Sequence, residues 1–314
     1  MELRHLRCFL AVAEELHFAR AAERLHIEQS PLSRTIKELE EELGERLFIR
    51  TSRNTRLTRA GQMFLEHVPR VFTALQQARD SVKAVAKGYH GQLRIALSDG
   101  VAPSRFPTLL ALCRQETPEI EIRLFEVPLS QQLKGLRDDL YDVGFAQSDE
   151  VGDVLVAEAV WSDPLMVVVP ARHPLLTYRR IPLQEVLRYP LVLCDPLVCE
   201  GFARQVDRVL RQVEQEPMVA EHVASCDLMM ALVSAGFALS LASAPYIAGS
   251  RELGVVGRPL AGRSPMLITY LLHRNGDGSE VLSSFIERVR AIESLEATRY
   301  TLPFESDPQE EIEL

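Results

Sequence analysis

The sequence predicts an α/β protein in which an all-α winged helix-turn-helix unit precedes two lobes of alternating strands and helices. Short amphipathic helical patterns open the chain, and a longer helix with a heptad repeat follows them. About 200 further residues alternate strand and helix patterns, which predicts parallel sheets with crossover helices. Because that length exceeds what one small sheet needs, we expect two α/β lobes.

Apolar residues three or four positions apart predict the first three helices. The three apolar sets are Leu3, Leu6, Leu10 and Ala13, then Phe18, Ala21, Ala22 and Leu25, then Leu32, Ile36, Leu39 and Leu43. Ser30 before Pro31 predicts an N-cap and a proline in the first helical turn, and Gly44 predicts the end of the third helix. Only residues 26–29 separate the second and third helices, as in a helix-turn-helix.

A basic strip lies in and around a predicted wing. Residues 47–57 alternate apolar and basic side chains around Ser52-Arg53-Asn54, a pattern typical of two strands joined by a turn. No acidic residue interrupts the series Arg46, Arg50, Arg53, Arg56 and Arg59. The chain has a net charge of −9, but residues 1–90 carry 15 Lys and Arg against 12 Asp and Glu, and the remainder carries 20 against 32. A local basic strip, not the net charge, favours DNA binding.

A heptad repeat marks the next helix, whose apolar residues are spaced four and three positions apart in turn. They are Phe64, Val68, Val71, Leu75, Ala78, Val82 and Val85. Heptad spacing gives a narrower stripe than a core-facing helix needs, so we predict a dimer seam. The alternative is a helix packed on its own domain's core, and Pro69 predicts a kink. Gly88 and Gly91 then end the helix.

Eight strands are predicted in the remainder, most of them separated by helical patterns. They are Leu93–Leu97, Ile120–Val127, Val143–Ala146, Leu165–Val169, Leu191–Cys194, Met218–His222, Phe237–Leu241 and Leu267–Leu272. The tail after Pro303 is acidic, and we expect residues 303–314 to be disordered.

The five cysteines are scattered and lack paired CxxC spacing, which suits a reducing cytoplasm and gives no zinc framework. The first residues are typical of a domain's opening helix and not of a signal peptide. No apolar run approaches the roughly 18 residues of a membrane span. Motifs of dinucleotide, P-loop, zinc-protease and nucleophile-elbow sites are absent from the sequence, so we predict no enzyme. A nucleotide-dependent α/β enzyme remains an alternative, because β/α alternation alone also suits one.

Four runs within the first sixty residues form one continuous motif. They are Leu6-x-x-Phe9-x-x-Val12-Ala13, Phe18-x-Arg20-Ala21-Ala22-x-x-Leu25-His26-Ile27-x-Gln29, Leu32-Ser33-Arg34-x-Ile36-x-x-Leu39-Glu40-x-x-Leu43-Gly44-x-x-Leu47-Phe48-x-Arg50 and Leu57-Thr58-x-Ala60-Gly61. Through this motif the chain resembles the LysR-type transcriptional regulators. The remainder is similar through its length and through runs such as Leu140-Tyr141-Asp142-Val143-Gly144-Phe145 and His173-Pro174-Leu175.

The resemblance implies a winged helix-turn-helix over residues 1–58, a dimerisation helix over 59–89 and an effector-binding domain over 90–302. That domain would be similar to periplasmic binding proteins. Its first lobe would span about 90–161 and 266–302, its second about 162–265, and an inducer would bind between them. The implied partners are double-stranded DNA at an interrupted palindrome, a small-molecule effector in place of a cofactor, further copies in a dimer or tetramer, and RNA polymerase.

The resemblance also implies site residues. The DNA surface would be formed by Gln29, Ser30, Pro31, Ser33, Arg34, Arg50 and Arg53. Side chains of the third helix would read base edges, and the wing arginines would contact phosphates or the minor groove. The effector site would be formed by Ser98, Asp99, Gly100, Val101, Pro128, Leu129, Ser130 and Phe202. Gly100 and Leu129 depart from aromatic-acid sensors of the family, which commonly present a hydroxyl there.

Cys199 lies near the position of the reactive cysteine in the family's peroxide sensors, so redox sensing through Cys199 is an alternative to an inducer. The flanking residues differ from theirs, and no cysteine follows at a distance that would resolve a disulfide. Free cysteines are usually inert core residues, and we therefore favour the inducer.

Overall fold

The amino-terminal unit, Met1–Asp80, contains the three predicted opening helices and the predicted wing. Phe9 of the first helix contacts Phe48 of the wing and Phe64 of the long helix, with ring centroids 5.4 and 4.9 Å apart. Three elements therefore share one aromatic core. In chain order the elements are α1 (Leu3–Glu15), α2 (Phe18–Leu25), α3 (Gln29–Leu43), β1 (Phe48–Arg50), β2 (Thr55–Leu57) and α4 (Arg59–Ala86).

The computed structural model describes residues 1–50, 55–98, 101, 106–250, 254–276 and 279–297. Three predicted site residues, Arg53, Asp99 and Gly100, lie outside the described residues, as does the acidic tail at 303–314. Among the described residues, no helix has the length and apolar character needed to cross a membrane.

Left-handed residues end the opening helices, and one predicted boundary moves. Leu16, His26 and Gly44 have φ angles of 47°, 54° and 74°, and Gly44 ends α3 as predicted. The N-cap of α3 is Glu28, not Ser30. Ser30 and Pro31 therefore lie in the first turn, where a proline costs no intrahelical hydrogen bond.

The α4 helix divides the predicted seam into two parts. Val68 is 1% exposed in the core of the first unit, and Phe64 packs against the same core. For these two residues the prediction of a dimer seam is wrong, because Phe9 and its neighbours already cover them. In contrast, Val82 and Val85 are 71% and 67% exposed, Val71 and Ala78 are exposed, and Leu75 is half-buried.

The second unit, from Ser81 onward, is built on a seven-stranded mixed sheet. Its strands are β3 (Gly91–Leu97), β4 (Ile120–Glu126), β5 (Val143–Ala146), β6 (Leu155–Pro170), β7 (Leu191–Cys194), β8 (Val219–Val223), β9 (Ser240–Ser243), β10 (Val255–Pro259) and β11 (Met266–Arg274), of which β7 and β8 form a separate parallel pair. Its helices are α5 (Phe106–Glu116), α6 (Leu129–Arg137), α7 (Leu183–Val186), α8 (Glu200–Leu210), α9 (Cys226–Ser234), α10 (Ala244–Gly249) and α11 (Glu280–Ala297).

The α/β class is confirmed, whereas the prediction of parallel sheets with crossover helices is correct only in part. In the seven-stranded sheet β3 pairs in parallel with β4 and β5, whereas β6 and β11 make antiparallel pairs; the separate β7 and β8 pair is parallel. The β6 strand has sixteen residues: up to Pro164 it pairs with β11, and from Leu165 it pairs with β9 and β10. One strand thus belongs to both lobes.

Each lobe has its own core. In the first lobe the Phe145 ring stacks on the Trp161 ring with centroids 4.8 Å apart, and Phe106 meets Phe145 edge-on at 5.3 Å. In the second lobe, strands β7 and β9 and helices α8 and α9 enclose a separate cluster around Leu191 and Met229. The predicted strand Phe237–Leu241 begins later, at Ser240, because Gly236 with φ 79° turns the chain and leaves Phe237 72% exposed.

Candidate functional site

The start of α3 presents an exposed polar surface. Gln29, Ser30, Pro31 and Arg34 are exposed, whereas Leu32, Ile36 and Leu39 on the opposite face are buried in the core of the unit. The buried stripe fixes the orientation of α3, so the polar face of its first turns is turned to solvent. This placement brings together four of the predicted DNA-contacting residues.

The wing is hydrogen-bonded to α3 through Arg50. Its Nη1 donates to Ser33 Oγ at 2.7 Å, and its guanidinium lies over the Phe18 ring, 4.1 Å from the centroid. Its Nη2 is 3.9 Å from Glu40 Oε2. Arg50 and Ser33, both predicted to contact DNA, are therefore engaged with each other, and half-buried Ser33 is less exposed than its neighbours.

Glu40 belongs to the opening motif but was not predicted as a site residue, and the structure shows that it positions the wing. Its Oε1 accepts hydrogen bonds from the backbone N–H groups of Leu47 and Phe48, at 2.8 and 3.0 Å. A carboxylate with two backbone donors makes strong, charge-assisted bonds. The loop after α3 is thereby fixed at the point where the wing begins.

Thr58 and Gly61 fix the other end of the wing. Thr58 Oγ1 donates to the Arg46 carbonyl oxygen at 2.6 Å and accepts from the Gly61 N–H at 2.9 Å, which caps α4. A Cβ on Gly61 would lie 2.1 Å from the Leu47 carbonyl oxygen. Only glycine permits this approach of α4 to the wing, which explains the Thr58-x-Ala60-Gly61 motif.

A cavity of about 420 Å³ lies between the two lobes of the second unit. The first lobe contributes residues from β3, β4 and the start of α5, and the second lobe contributes the starts of α8 and α9 and a residue of α10. Its walls consist of Leu97, Ser98, Val101, Phe106, Leu124, Glu126, Cys199, Ser225, Cys226, Asp227 and Tyr246. This volume falls within the range of small-molecule sites.

On the first-lobe side, the end of β3 brings Ser98 to the cavity. Its Oγ donates to the Phe145 carbonyl oxygen at 3.3 Å, and its backbone N–H donates to the same oxygen at 3.0 Å. The hydroxyl oxygen keeps its acceptor capacity for a ligand in the cavity. Val101 follows, so two of the predicted effector residues line this wall.

On the second-lobe side, a tyrosine and an aspartate form one hydrogen-bonded group. Tyr246 Oη donates to Asp227 Oδ1 at 2.6 Å. Burial and this hydrogen bond to a carboxylate raise the pKa of the Tyr246 phenol. Ser225 caps α9 by accepting from the Leu228 N–H at 3.3 Å. These residues, with Glu126 from β4, give the cavity its polar groups; the sequence pattern did not predict them.

Four other predicted effector residues, all within the described part of the chain, lie away from the cavity walls. Phe202 is 3% exposed and belongs to the second-lobe core, because α8 turns this face of the helix toward β7. Leu129 is buried in a cluster with Leu136 and Tyr141, Pro128 caps α6, and Ser130 is exposed. None of these four residues forms part of the cavity walls.

Gln205 of α8 joins the second lobe to the strands that connect the lobes. Its Nε2 donates to the carbonyl oxygens of Gln147 and Ile268, at 2.8 and 2.7 Å, and its Oε1 accepts from the Ile268 N–H at 2.8 Å. A Cβ on Gly201 would lie 2.9 Å from the Gln147 carbonyl oxygen, so α8 approaches this segment closely. Arg204 adds a surface ion pair to Glu150 at 2.5 Å.

Three cysteines meet at the cavity: Cys199 and Cys226 line it, and Cys194 contacts both from behind the wall. Cys199, the N-cap residue of α8, is buried, and its Sγ lies 3.8 Å from the Ala224 carbonyl oxygen. Cys194 Sγ is 3.6 Å from Cys226 Sγ and 3.9 Å from Met229 Sδ. Among the described residues, no group of three or more histidine, cysteine or acidic side chains is arranged to hold a metal ion.

Two family descriptions match the chain. "Bacterial regulatory helix-turn-helix protein, lysR family" matches residues 3–62, and "LysR substrate binding domain" matches residues 86–292. The chain belongs to the LysR family of transcriptional regulators. The resemblance inferred from the opening sixty residues is thereby confirmed, and this LysR regulator has a DNA-binding helix-turn-helix domain and an effector-binding domain.

Two relatives match nearly the whole length of this LysR regulator. BenM of Acinetobacter baylyi is 30% identical over 299 residues, 94% of this chain and 97% of its own. The probable cat1 operon transcriptional activator of Acinetobacter lwoffii is 30% identical over 294 residues, 92% and 95% of the two chains. Among solved structures, full-length CbnR bound to its target DNA is 27% identical with a TM-score of 0.69, covering 93% of this chain and 99% of CbnR.

Proposed function

We propose that this LysR regulator binds an interrupted palindrome through α3 and its wing, and that a small molecule in the interlobe cavity changes this binding. The observation that carries the proposal is the composition of the cavity walls. Ser98 belongs to one lobe, and Asp227 with Tyr246 belongs to the other. A ligand that contacts both walls has an affinity that depends on the arrangement of the lobes, which a switch requires.

The proposed DNA contacts divide into base readout and phosphate binding. Gln29 and Arg34, exposed on the first turns of α3, have the donors and acceptors that pair with adenine and guanine edges in the major groove. Ser30 and Pro31 lie in the same exposed turn. Arg53, beyond the described part of the wing, is proposed to contact phosphate. We assign residues 1–58 to this domain.

The proposed dimer seam is shorter than the heptad pattern. Val71, Leu75, Ala78, Val82 and Val85 remain along α4 once Phe64 and Val68 are assigned to the domain core. An exposed apolar series at heptad spacing suits pairing with a second copy. Two copies would place two recognition helices on the half-sites of a palindrome, and we propose a dimer of dimers as the assembled form.

The proposed ligand is small, with hydrogen-bond donors and an apolar body. Glu126 and Asp227 supply carboxylate acceptors, while Val101, Phe106 and Leu124 supply apolar surface. No cofactor enters the proposal. RNA polymerase is the proposed partner at the promoter, and the cytoplasm, where bacterial promoter DNA lies, is the proposed compartment.

DNase protection of the DNA upstream of the protein's own gene tests the proposal. We expect a protected interrupted palindrome with wild-type protein, a weaker footprint with Arg34→Ala, and a changed footprint with one compound of a metabolite panel. If the Arg34→Ala protein gave the same footprint as wild-type protein, the proposal that the α3 surface contacts DNA would be wrong. A panel compound that changes the footprint of wild-type protein and of a cavity-filling Leu124→Trp variant equally would place the ligand elsewhere.

A further inference from the structure

We propose that Cys194 and Cys226 form a reversible disulfide in the floor of the interlobe cavity. Their Sγ atoms are 3.6 Å apart, in van der Waals contact. A disulfide requires about 2.05 Å between sulfurs, so closure takes a shift of roughly 1.5 Å shared between two side chains. The disulfide rests on thiol geometry alone, and its effect on ligand response rests on the proposed function.

The fold brings the two cysteines together from distant positions in the chain. Cys194 is the last residue of β7, and it pairs in parallel register with Val223 of β8. Three residues after Val223, the chain turns into α9, whose first residue is Cys226. Because β7 and β8 are hydrogen-bonded neighbours, the end of one strand lies beside the start of the helix that follows the other.

Of the other three cysteines, Cys199 also hydrogen-bonds to Cys194, whereas Cys113 and Cys8 lie in separate cores. Cys199 Sγ is directed to the Ala224 carbonyl oxygen. Cys113 is buried in the first-lobe core, and Cys8 lies in the core of the amino-terminal unit. The Sγ atoms of Cys194 and Cys226 are 3.6 Å apart, and Cys199 is the third thiol of this cluster.

Cys226 is the thiol that reacts first, because it is half-buried and lines the cavity whereas Cys194 is buried. Hydrogen bonding to the Cys199 and Cys226 thiols, together with burial, raises the pKa of the Cys194 thiol, which keeps it protonated. The oxidant is a hydroperoxide. Cys226 attacks the terminal peroxide oxygen and becomes a sulfenic acid, releasing an alcohol, or water from hydrogen peroxide. The Cys194 sulfur then attacks the sulfenic sulfur of Cys226 while the Cys194 proton passes to the departing hydroxyl, which leaves as water and gives the disulfide.

The disulfide changes the cavity wall. Cys226 lies between Ser225 and Asp227, which both line the cavity, and Asp227 is held by Tyr246 Oη. Drawing the Cys226 side chain toward β7 removes a thiol from the wall and alters the start of α9. The reduced and oxidised proteins therefore present different walls to a ligand.

Peptide mapping of the full-length protein after hydrogen peroxide tests the disulfide. We expect an intact mass lower by two hydrogens, loss of two of the five alkylatable thiols, and one linked peptide pair containing Cys194 and Cys226, all reversed by dithiothreitol. Cys226→Ser and Cys194→Ala should abolish the link, whereas Cys199→Ser, the matched control, should retain it. Circular dichroism establishes that each variant is folded.

Three results would overturn the proposal: a link through Cys199, oxidation of Cys226 that stops at the sulfinic acid, or retention of all five thiols. Because each is measured on wild-type protein, none depends on a variant that folds. The consequence for the cavity is tested separately, by repeating the promoter footprint with the panel compound on reduced and oxidised protein. If the disulfide forms without changing that response, the proposed effect on the ligand is wrong, but the proposed link between Cys194 and Cys226 is supported.

Discussion

Arg50 Nη1 lies 2.7 Å from Ser33 Oγ, so a wing residue is hydrogen-bonded directly to a residue of α3. The same guanidinium lies over the Phe18 ring of α2. Arg50 thereby links β1 to both helices of the helix-turn-helix, using a planar group that can stack and donate at once. Arg50 therefore positions the wing, in addition to any attraction of its charge for a DNA phosphate.

The Arg50→Lys variant separates these roles. Lysine keeps the charge but cannot stack on Phe18 while donating to Ser33 Oγ, so we expect a loss of operator affinity of about 1–3 kcal/mol, close to that of Arg50→Ala. Gel-shift titration measures it, with Arg56→Lys on exposed β2 as the control. An Arg50→Lys protein that binds like wild type, beside a weakened Arg50→Ala protein, would show that charge alone matters.

We expect Arg34→Ala and Arg53→Ala to weaken DNA binding in two different ways. Loss of a base contact at Arg34 should cost about 1–3 kcal/mol at the operator and change sequence preference. Loss of a phosphate contact at Arg53 should weaken specific and non-specific binding alike and lower the salt slope by about 1. Salt titrations on operator and random DNA distinguish the two. Wild-type binding by both variants would exclude them from the interface.

The shortened seam predicts a specific failure of assembly. Leu75→Asp with Val82→Asp would bury like charges facing each other between two copies of α4, so we expect smaller particles in sedimentation and weaker operator binding. Val68→Asp should instead unfold the DNA-binding unit, because Val68 lies in its core. A Leu75/Val82 double variant of wild-type size would contradict the seam.

Phe202 and Leu124 should give opposite results in the effector domain. Phe202→Ala should lower the free energy of unfolding by about 3–5 kcal/mol, because Phe202 fills the second-lobe core. Leu124→Trp should leave stability nearly unchanged, because Leu124 is 45% exposed, yet should fill the cavity and abolish the inducer response. Denaturant unfolding and promoter assays measure these effects. A stable, unresponsive Phe202→Ala protein would restore Phe202 to the ligand site.

The buried phenols predict a loss of stability in alkali. Burial raises the pKa of Tyr141, Tyr246 and Tyr270 in the folded protein. These phenols contribute fully to the free energy of unfolding below about pH 10, the pKa of an unfolded tyrosine. That contribution is lost as the pH rises through their higher pKa values in the folded protein. We expect Tm to fall above about pH 10, and less steeply in Tyr246→Phe. Equal slopes for the two proteins would contradict the assignment to Tyr246.

Local patterns predicted the elements well, and long-range contacts decided the rest. Helical periodicity located α1 to α4, since it reports burial on one face, but it could not tell Val68, covered by its own domain, from exposed Val82. The prediction that Phe202 lines the cleft was wrong for the same reason, because an apolar residue at the start of a helix can pack in a core as well as line a cleft. Gln205, whose three hydrogen bonds join segments 58 and 63 residues away, leaves no periodic signal.

The order of strands also governs how this chain acquires its structure during translation. In the first-lobe sheet β11 lies between β5 and β6, yet it is the last strand made. At 5–20 residues per second the ribosome needs on the order of ten to thirty seconds to pass from the end of β3 to β11. Over that interval the strands of the first lobe have exposed edges while the second lobe is being synthesised. A nascent chain interrupted before Met266 therefore leaves the edges of β5 and β6 for chaperones to cover.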